Sequence, residues 1–192
     1  MQQWTIGISH GGDLTFCLYV RDSFKLAPVT APQIPALIPP VARLEAATEN
    51  LRPQLETQWT RWWADLLRAK SGGQRRKLGE APDAFPELDG SPELFDAASK
   101  VSPEGHAWTN VRKKEFFSIF RSVQDRPLAI QNVVAEHAAV YPFNLSVTCL
   151  PVDGKYGWRI APGHALVSYQ LYADYENFLD WLGLTLSRPP AQ

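Results

Sequence analysis

Apolar and polar side chains alternate along this chain at two different periods, and the switches between them mark out its elements. Near the N-terminus Trp4, Ile6 and Ile8 alternate with polar or small residues, Ser9 to Gly12 offers turn chemistry, and Leu14, Phe16, Leu18 and Val20 alternate again. Side chains of a strand point to opposite sides at period two, so each run has one apolar side and the pair predicts a β-hairpin. Five prolines follow, Pro28, Pro32, Pro35, Pro39 and Pro40. Each fixes its φ and lacks a backbone donor, which predicts an extended crossing. Pro32 and Pro35 satisfy a PxxP pattern, but the interleaved Ile34, Leu37 and Ile38 favour packing on the protein's own surface over recognition by an SH3-like module.

The helical period then takes over. Val41 to about Ala69 favours helix with an interruption at Pro53, and Asn50 is placed to cap the second segment. In that segment Leu51, Leu55, Trp59, Trp62, Trp63, Leu66 and Leu67 project on one side, whereas Arg52, Glu56, Arg61 and Asp65 occupy the remainder. Periodicity is lost over about 71–90, where glycines, prolines and the basic run Arg75, Arg76, Lys77 predict a mobile connector. Ser91 followed by Pro92 marks a helix start, with Leu94, Phe95 and Ala98 as a short apolar side. A separate helix is expected from Thr109 or Asn110, burying Phe116, Phe117, Ile119, Phe120 and Val123.

The stretch from Leu128 to Leu186 is the most regular. Ile130, Val133, Val134, His137 and Ala138 follow helical spacing up to Pro142. Leu145, Val147 and Cys149 alternate with Ser146 and Thr148, Asp153-Gly154 supplies a turn, and Tyr156 to Ile160 returns as a short strand. Ala165, Val167, Tyr169 and Leu171 alternate once more, and Asp174 caps a helix that carries Tyr175, Phe178, Leu179, Leu182 and Leu186 on one side. Strands at both ends with helices between them predict an α+β fold. The expected sheet is mainly antiparallel, assembled from the N-terminal hairpin and the C-terminal strands and packed by the intervening and C-terminal helices. With 192 residues, 45% of them apolar, one domain over 1–192 accommodates the core.

Charge narrows the partners. A formal net charge of -1 produces no global field for nucleic acid or anionic lipid, so neither is expected as a partner. Prolines interrupt the longest uncharged runs, near Ala27 to Ala42, well short of the ~20-residue apolar helix a bilayer requires. Met1 to Ile8 lacks the basic and apolar succession of a secretory leader. A soluble, cytoplasmic protein is the expectation, with Cys17 and Cys149 reduced and buried rather than bridged.

Candidate chemistry is sparse. Gly7-Ile8-Ser9-His10-Gly11 formally matches the GxSxG nucleophile elbow, but the following residues read as strand rather than helix, so Ser9 is assigned to a hairpin turn. His10, His106, His137 and His164 lack the spacing of HExxH or of Cys/His clusters, and no phosphate- or dinucleotide-binding glycine pattern is present. No metal and no cofactor is expected. His137 falls on an apolar helical side and reads as packing. His164 opens a strand beside Gly163 and is expected at a cleft edge.

Two functional readings result. In the first the chain is a non-enzymatic intracellular protein-interaction or inhibitor-like domain, binding another protein or itself. Its carriers are Trp181 and Leu184, which project away from the side of the last helix that holds Phe178 and Leu182. In the second it is an enzyme or small-ligand-binding protein with an aromatic-lined pocket between sheet and helices. Trp59, Trp63, His164 and Tyr169 would line that pocket, since flat rings bury large area at low side-chain entropy. No residue pattern assigns a catalytic group.

Overall fold

The structure, a computed structural model, describes residues 4–44, 49–71, 85, 88–123, 127–137 and 143–187, without the side chains at 49, 127 and 137. Its elements in chain order are β1 (Trp4–His10), α1 (Gly12–Ser23), a 3-10 turn (Glu49–Leu51), α2 (Arg52–Ser71), α3 (Pro92–Val123), α4 (Pro127–His137), β2 (Phe143–Leu150), β3 (Gly157–Ala161), β4 (His164–Ser168), α5 (Tyr169–Ala173) and α6 (Tyr175–Ser187). The α+β class holds. The sheet, however, has the order β1-β2-β4-β3, with β1/β2 and β2/β4 parallel and β3/β4 antiparallel. It is mixed and mostly parallel, not mainly antiparallel.

The correction begins at Gly11. Its N–H continues the ladder to the Cys149 carbonyl at 3.2 Å, and a side chain there would bring Cβ to 2.5 Å from Thr148 Cγ2. The next residue opens a helix, not a second strand. Leu14, Thr15, Phe16, Cys17, Leu18, Tyr19 and Val20 of α1 are all buried. A helix buried on nearly every side shows no solvent phase in its sequence, so the alternation of Leu14, Phe16, Leu18 and Val20 is incidental. Without a hairpin partner, β1 pairs with β2, and the helices between them supply the crossover that a parallel pair needs.

At the other end, β4 does not continue to Leu171. Ser168 stops it by accepting the Leu171 N–H at 3.1 Å and capping α5. All five residues of β4 are buried, as befits an inner strand covered on both faces, whereas those of β3 are half-exposed at the edge. Gly154 takes the left-handed φ of 88° that the expected Asp-Gly turn requires. The two helices expected over 91–123 form one, α3, with Pro103 inside it. Burial of Leu94, Ala98, Val101 and Ser102 on one side secures the turns around that proline.

The chain divides into two compact units, one of Met1–Gly11 and Lys113–Gln192, the other of Gly12–Arg112. In the first, Phe116, Val123, Tyr172, Phe178 and Leu182 cover one face of the sheet over Leu145, Val147, Cys149, Ala165 and Val167. In the second, Trp59 Nε1 donates to the Cys17 carbonyl at 2.8 Å and the Phe16 ring stacks on His106 at 4.6 Å. The proline segment packs on this unit: Arg21 donates to the carbonyls of Ile34 and Pro35, each at 2.7 Å, and Asp22 accepts the Leu37 N–H at 2.7 Å. Of the connector expected over 71–90, residues 72–84 and 86–87, including the basic run, lie outside the described residues. No helix among the described residues is long and apolar enough to cross a membrane.

Candidate functional site

The helix α6 starts from Asp174, whose carbonyl accepts the Phe178 N–H at 2.9 Å. Its carboxylate accepts from Lys155 at 2.5 Å and from Asn177 at 2.7 Å, and those donors, Lys155 first, hold its pKa below the ordinary carboxylate value. The helix thereby lies over β3. At Gly157 an added Cβ would collide with the Trp181 ring, so the indole rests on bare backbone. The Phe178 ring lies 5.9 Å from it, inclined by 29°. One turn beyond, Leu184 is 64% exposed. Arg159 Nη1 donates to the Thr185 carbonyl at 3.3 Å, occupying an acceptor in the last turn of the helix.

Period-two alternation sends Trp158 to the opposite face of the sheet from Gly157 and Arg159. There it stacks on Tyr156 at 5.4 Å and 9°, with Tyr156 46% exposed. This pair escaped the sequence reading. Its only signal is the spacing of two aromatics by two residues directly after the Asp153-Gly154 turn.

The residues assigned to a ligand pocket are divided between the two compact units, His164 and Tyr169 in one, Trp59 and Trp63 in the other. His164 is fully buried in β4, with Nε2 3.1 Å from Thr148 Oγ1, and is not at a cleft edge. Tyr169 is buried in the first turn of α5, its hydroxyl hydrogen-bonded to His10 Nδ1 at 2.6 Å. Phe116 approaches the same His10 ring at 6.1 Å. Trp59 and Trp63 belong to the other unit, stacked at 5.5 Å and 10° and buried with Leu55, Trp62 and Leu66. That unit also has an open recess of about 130 Å³, lined by Phe24, Leu51, Leu55 and Ala97 with Glu93, Asp96 and Lys100. None of the four assigned residues borders it.

Other reactive groups are similarly quiet. Ser9 now precedes a helix, so the context once missing from the GxSxG pattern is present. Yet Ser9 lies inside β1, aligned with Thr148, and Lys25 is the non-glycine residue with positive φ among the described residues. A nucleophile elbow depends on a strained turn at the serine itself, and Ser9 has ordinary strand geometry. Burial pushes the Cys149 thiol up, and burial with Cys149 and Tyr175 nearby does the same to the Tyr172 hydroxyl. The thiol is neutral and poorly nucleophilic near pH 7. Among the described residues no three His, Cys, Asp or Glu side chains converge to hold a metal. The His137 side chain lies outside the described residues. No family of known proteins, no curated protein and no solved structure matches this chain.

Proposed function

We propose that the chain is a non-enzymatic, cytoplasmic protein-interaction domain, of the kind that binds and restrains another protein, and that its partner docks on the outer side of α6. The observation that carries this reading is the exposed Leu184 beside a Trp181 fixed by Gly157 and Phe178. Single exposed leucines are ordinary on protein surfaces. An exposed leucine next to a preorganised indole is a better anchor, because tryptophan is enriched among the residues that dominate binding and this one has little rotamer freedom left to lose. The cytoplasmic element is supported by two buried cysteines, Cys17 and Cys149, that are not joined in a disulfide. Burial of His164 and Tyr169 in hydrogen-bonded packing favours docking over a ligand pocket.

The test compares proteins recovered with the wild-type chain, Leu184→Asp and Val29→Asp from the native host, quantified by mass spectrometry. Val29, 93% exposed in the other unit, serves as the surface control. Loss of one buried leucine contact weakens binding roughly tenfold or more. The expected result is a protein partner retained by wild type and Val29→Asp and lost from Leu184→Asp. Equal recovery by all three would remove α6 as the docking surface.

A further inference from the structure

Among the described residues β1 ends the sheet, with β2 as its neighbour on one side and no strand on the other. Its seven residues pair with β2 in unbroken register and include neither a charge nor a proline. Thr5, Gly7 and Ser9 are exposed, and Ile6 and Ile8 are half-exposed on the core-facing side. Edges of this kind are templates for pairing, and proteins ordinarily blunt them with charge, proline, bulges or a cover. None of the first three is present in β1.

The direction of its outward-facing backbone groups follows from the ladder. Gly11 donates to Cys149, which itself aligns with His10. In a strand successive residues direct N–H and C=O to opposite sides, so the odd positions of β1 face β2. The backbone N–H and C=O groups of Ile6 and Ile8 therefore point to the outer edge, while their side chains stay on the core-facing side.

The sequence of β1 is also a chemical palindrome. Trp4-Thr5-Ile6-Gly7-Ile8-Ser9-His10 reads outward from Gly7 as isoleucine, hydroxyl and aromatic ring in both directions. We infer that β1 is a self-association edge, and that its occupant is β1 of a second copy of this chain, antiparallel about a two-fold axis at Gly7.

In that register Ile6 lies opposite Ile8 of the partner, Thr5 opposite Ser9 and Trp4 opposite His10. Each Ile6–Ile8 pair is of the hydrogen-bonded type, exchanging two N–H···O bonds through groups that already point outward. Gly7 meets Gly7 at the non-hydrogen-bonded position, where facing backbones approach to about 4.5 Å. Space is available, since a Cβ at Gly7 would find nothing within 4 Å. Displacing the register by one residue would set isoleucines against hydroxyls and turn the apolar set to the wrong face. An unrelated strand would satisfy the backbone equally, but only a second copy matches all three side-chain pairs. The contact is isologous and closes at two subunits.

The test uses the charge at the axis. Gly7→Lys and Gly7→Glu change an exposed side chain only, and each alone sets like charges face to face. Native mass spectrometry and light scattering at about 100 µM, a concentration that populates contacts of micromolar affinity, should show a wild-type dimer. Each variant alone should dissociate at least tenfold more readily, and an equimolar mixture should recover a heterodimer of the two masses. In the wild-type protein, amide exchange at Ile6 and Ile8 should also slow as concentration rises, which requires no substitution.

A wild-type monomer at that concentration, or variants that dimerise like wild type, would overturn the assignment. So would a dimer abolished by Leu184→Asp and indifferent to Gly7, which would transfer self-association to α6. None of these outcomes bears on whether α6 binds a different protein.

Discussion

At one edge of the sheet, β3 runs for five residues, shifts register between Arg159 and Ala161, and carries a charged side chain. At the other, β1 runs for seven residues in continuous register and carries none. The ladder of β3 is interrupted by that register shift and one of its faces is covered at Gly157 by the indole of Trp181, so what it offers a partner is side chains. The backbone of β1 is regular and, among the described residues, has no strand on its outer side, so what it offers is a ladder. The two ends of one sheet are thus suited to two kinds of recognition, and the difference comes from local chemistry and not from fold class.

The core at the inner strand β2 and the helix α5 sets the scale against which both edges are measured, and it has the largest expected effect. Burial raises the pKa of Cys149 and Tyr172 from ordinary values of 9.0 and 10.0. The unfolded chain releases these protons first, so their contribution to stability is complete below pH 9 and is lost as pH rises beyond each ordinary value. The slope approaches about 1.4 kcal/mol per pH unit for each group. Urea unfolding from pH 8 to 11 should show stability falling from near pH 9 in the wild type. In Cys149→Ala the fall should begin about one unit higher, where Tyr172 takes over. Superimposable pH profiles would show that the thiol is not held neutral by the fold.

The next effect separates the edges directly. Gly157→Ala forces a methyl group into the Trp181 ring and should cost about 1–3 kcal/mol, the usual range for overpacking. Gly7→Ala enters open space and should stay within about 0.5 kcal/mol of wild type. Urea midpoints at constant m-value make the comparison, and equal costs at both glycines would erase the distinction between a covered and an open edge. The smallest effect belongs to Leu184→Ser, whose exposed side chain predicts a stability change within about 0.5 kcal/mol. A larger loss would mean that Leu184 supports the fold, and the docking assay would then need reinterpretation.

Legibility in the sequence followed burial. The helix α6 was readable because it has a wet and a dry side, which imprints a phase on the residues; β2 shows that alternation only as far as Val147, and β3, half-exposed at every position, was bounded instead by the Asp153-Gly154 turn. The helix α1 was not, because Thr15 and Cys17 are buried along with Leu14, Phe16 and Leu18, and a segment without a solvent side has no phase to read. Strand order was invisible for a related reason. Nothing local to His164-Ala-Leu-Val-Ser states that it lies between β2 and β3, and that placement is what buries His164. The second side of α6, with Trp181 and Leu184, was visible as an exception to the helical pattern. The contact of Trp181 with Gly157 was not, because it depends on which strand passes beneath the helix.

The two buried cysteines have a consequence of their own. Cys17 and Cys149 fall in different compact units, and neither is accessible in the folded state. Each is therefore a silent clock for its own half of the chain, reacting with a small thiol reagent only when that half opens. Peptide mapping of a timed alkylation would read the two clocks separately and give the opening free energy of each unit without a single substitution.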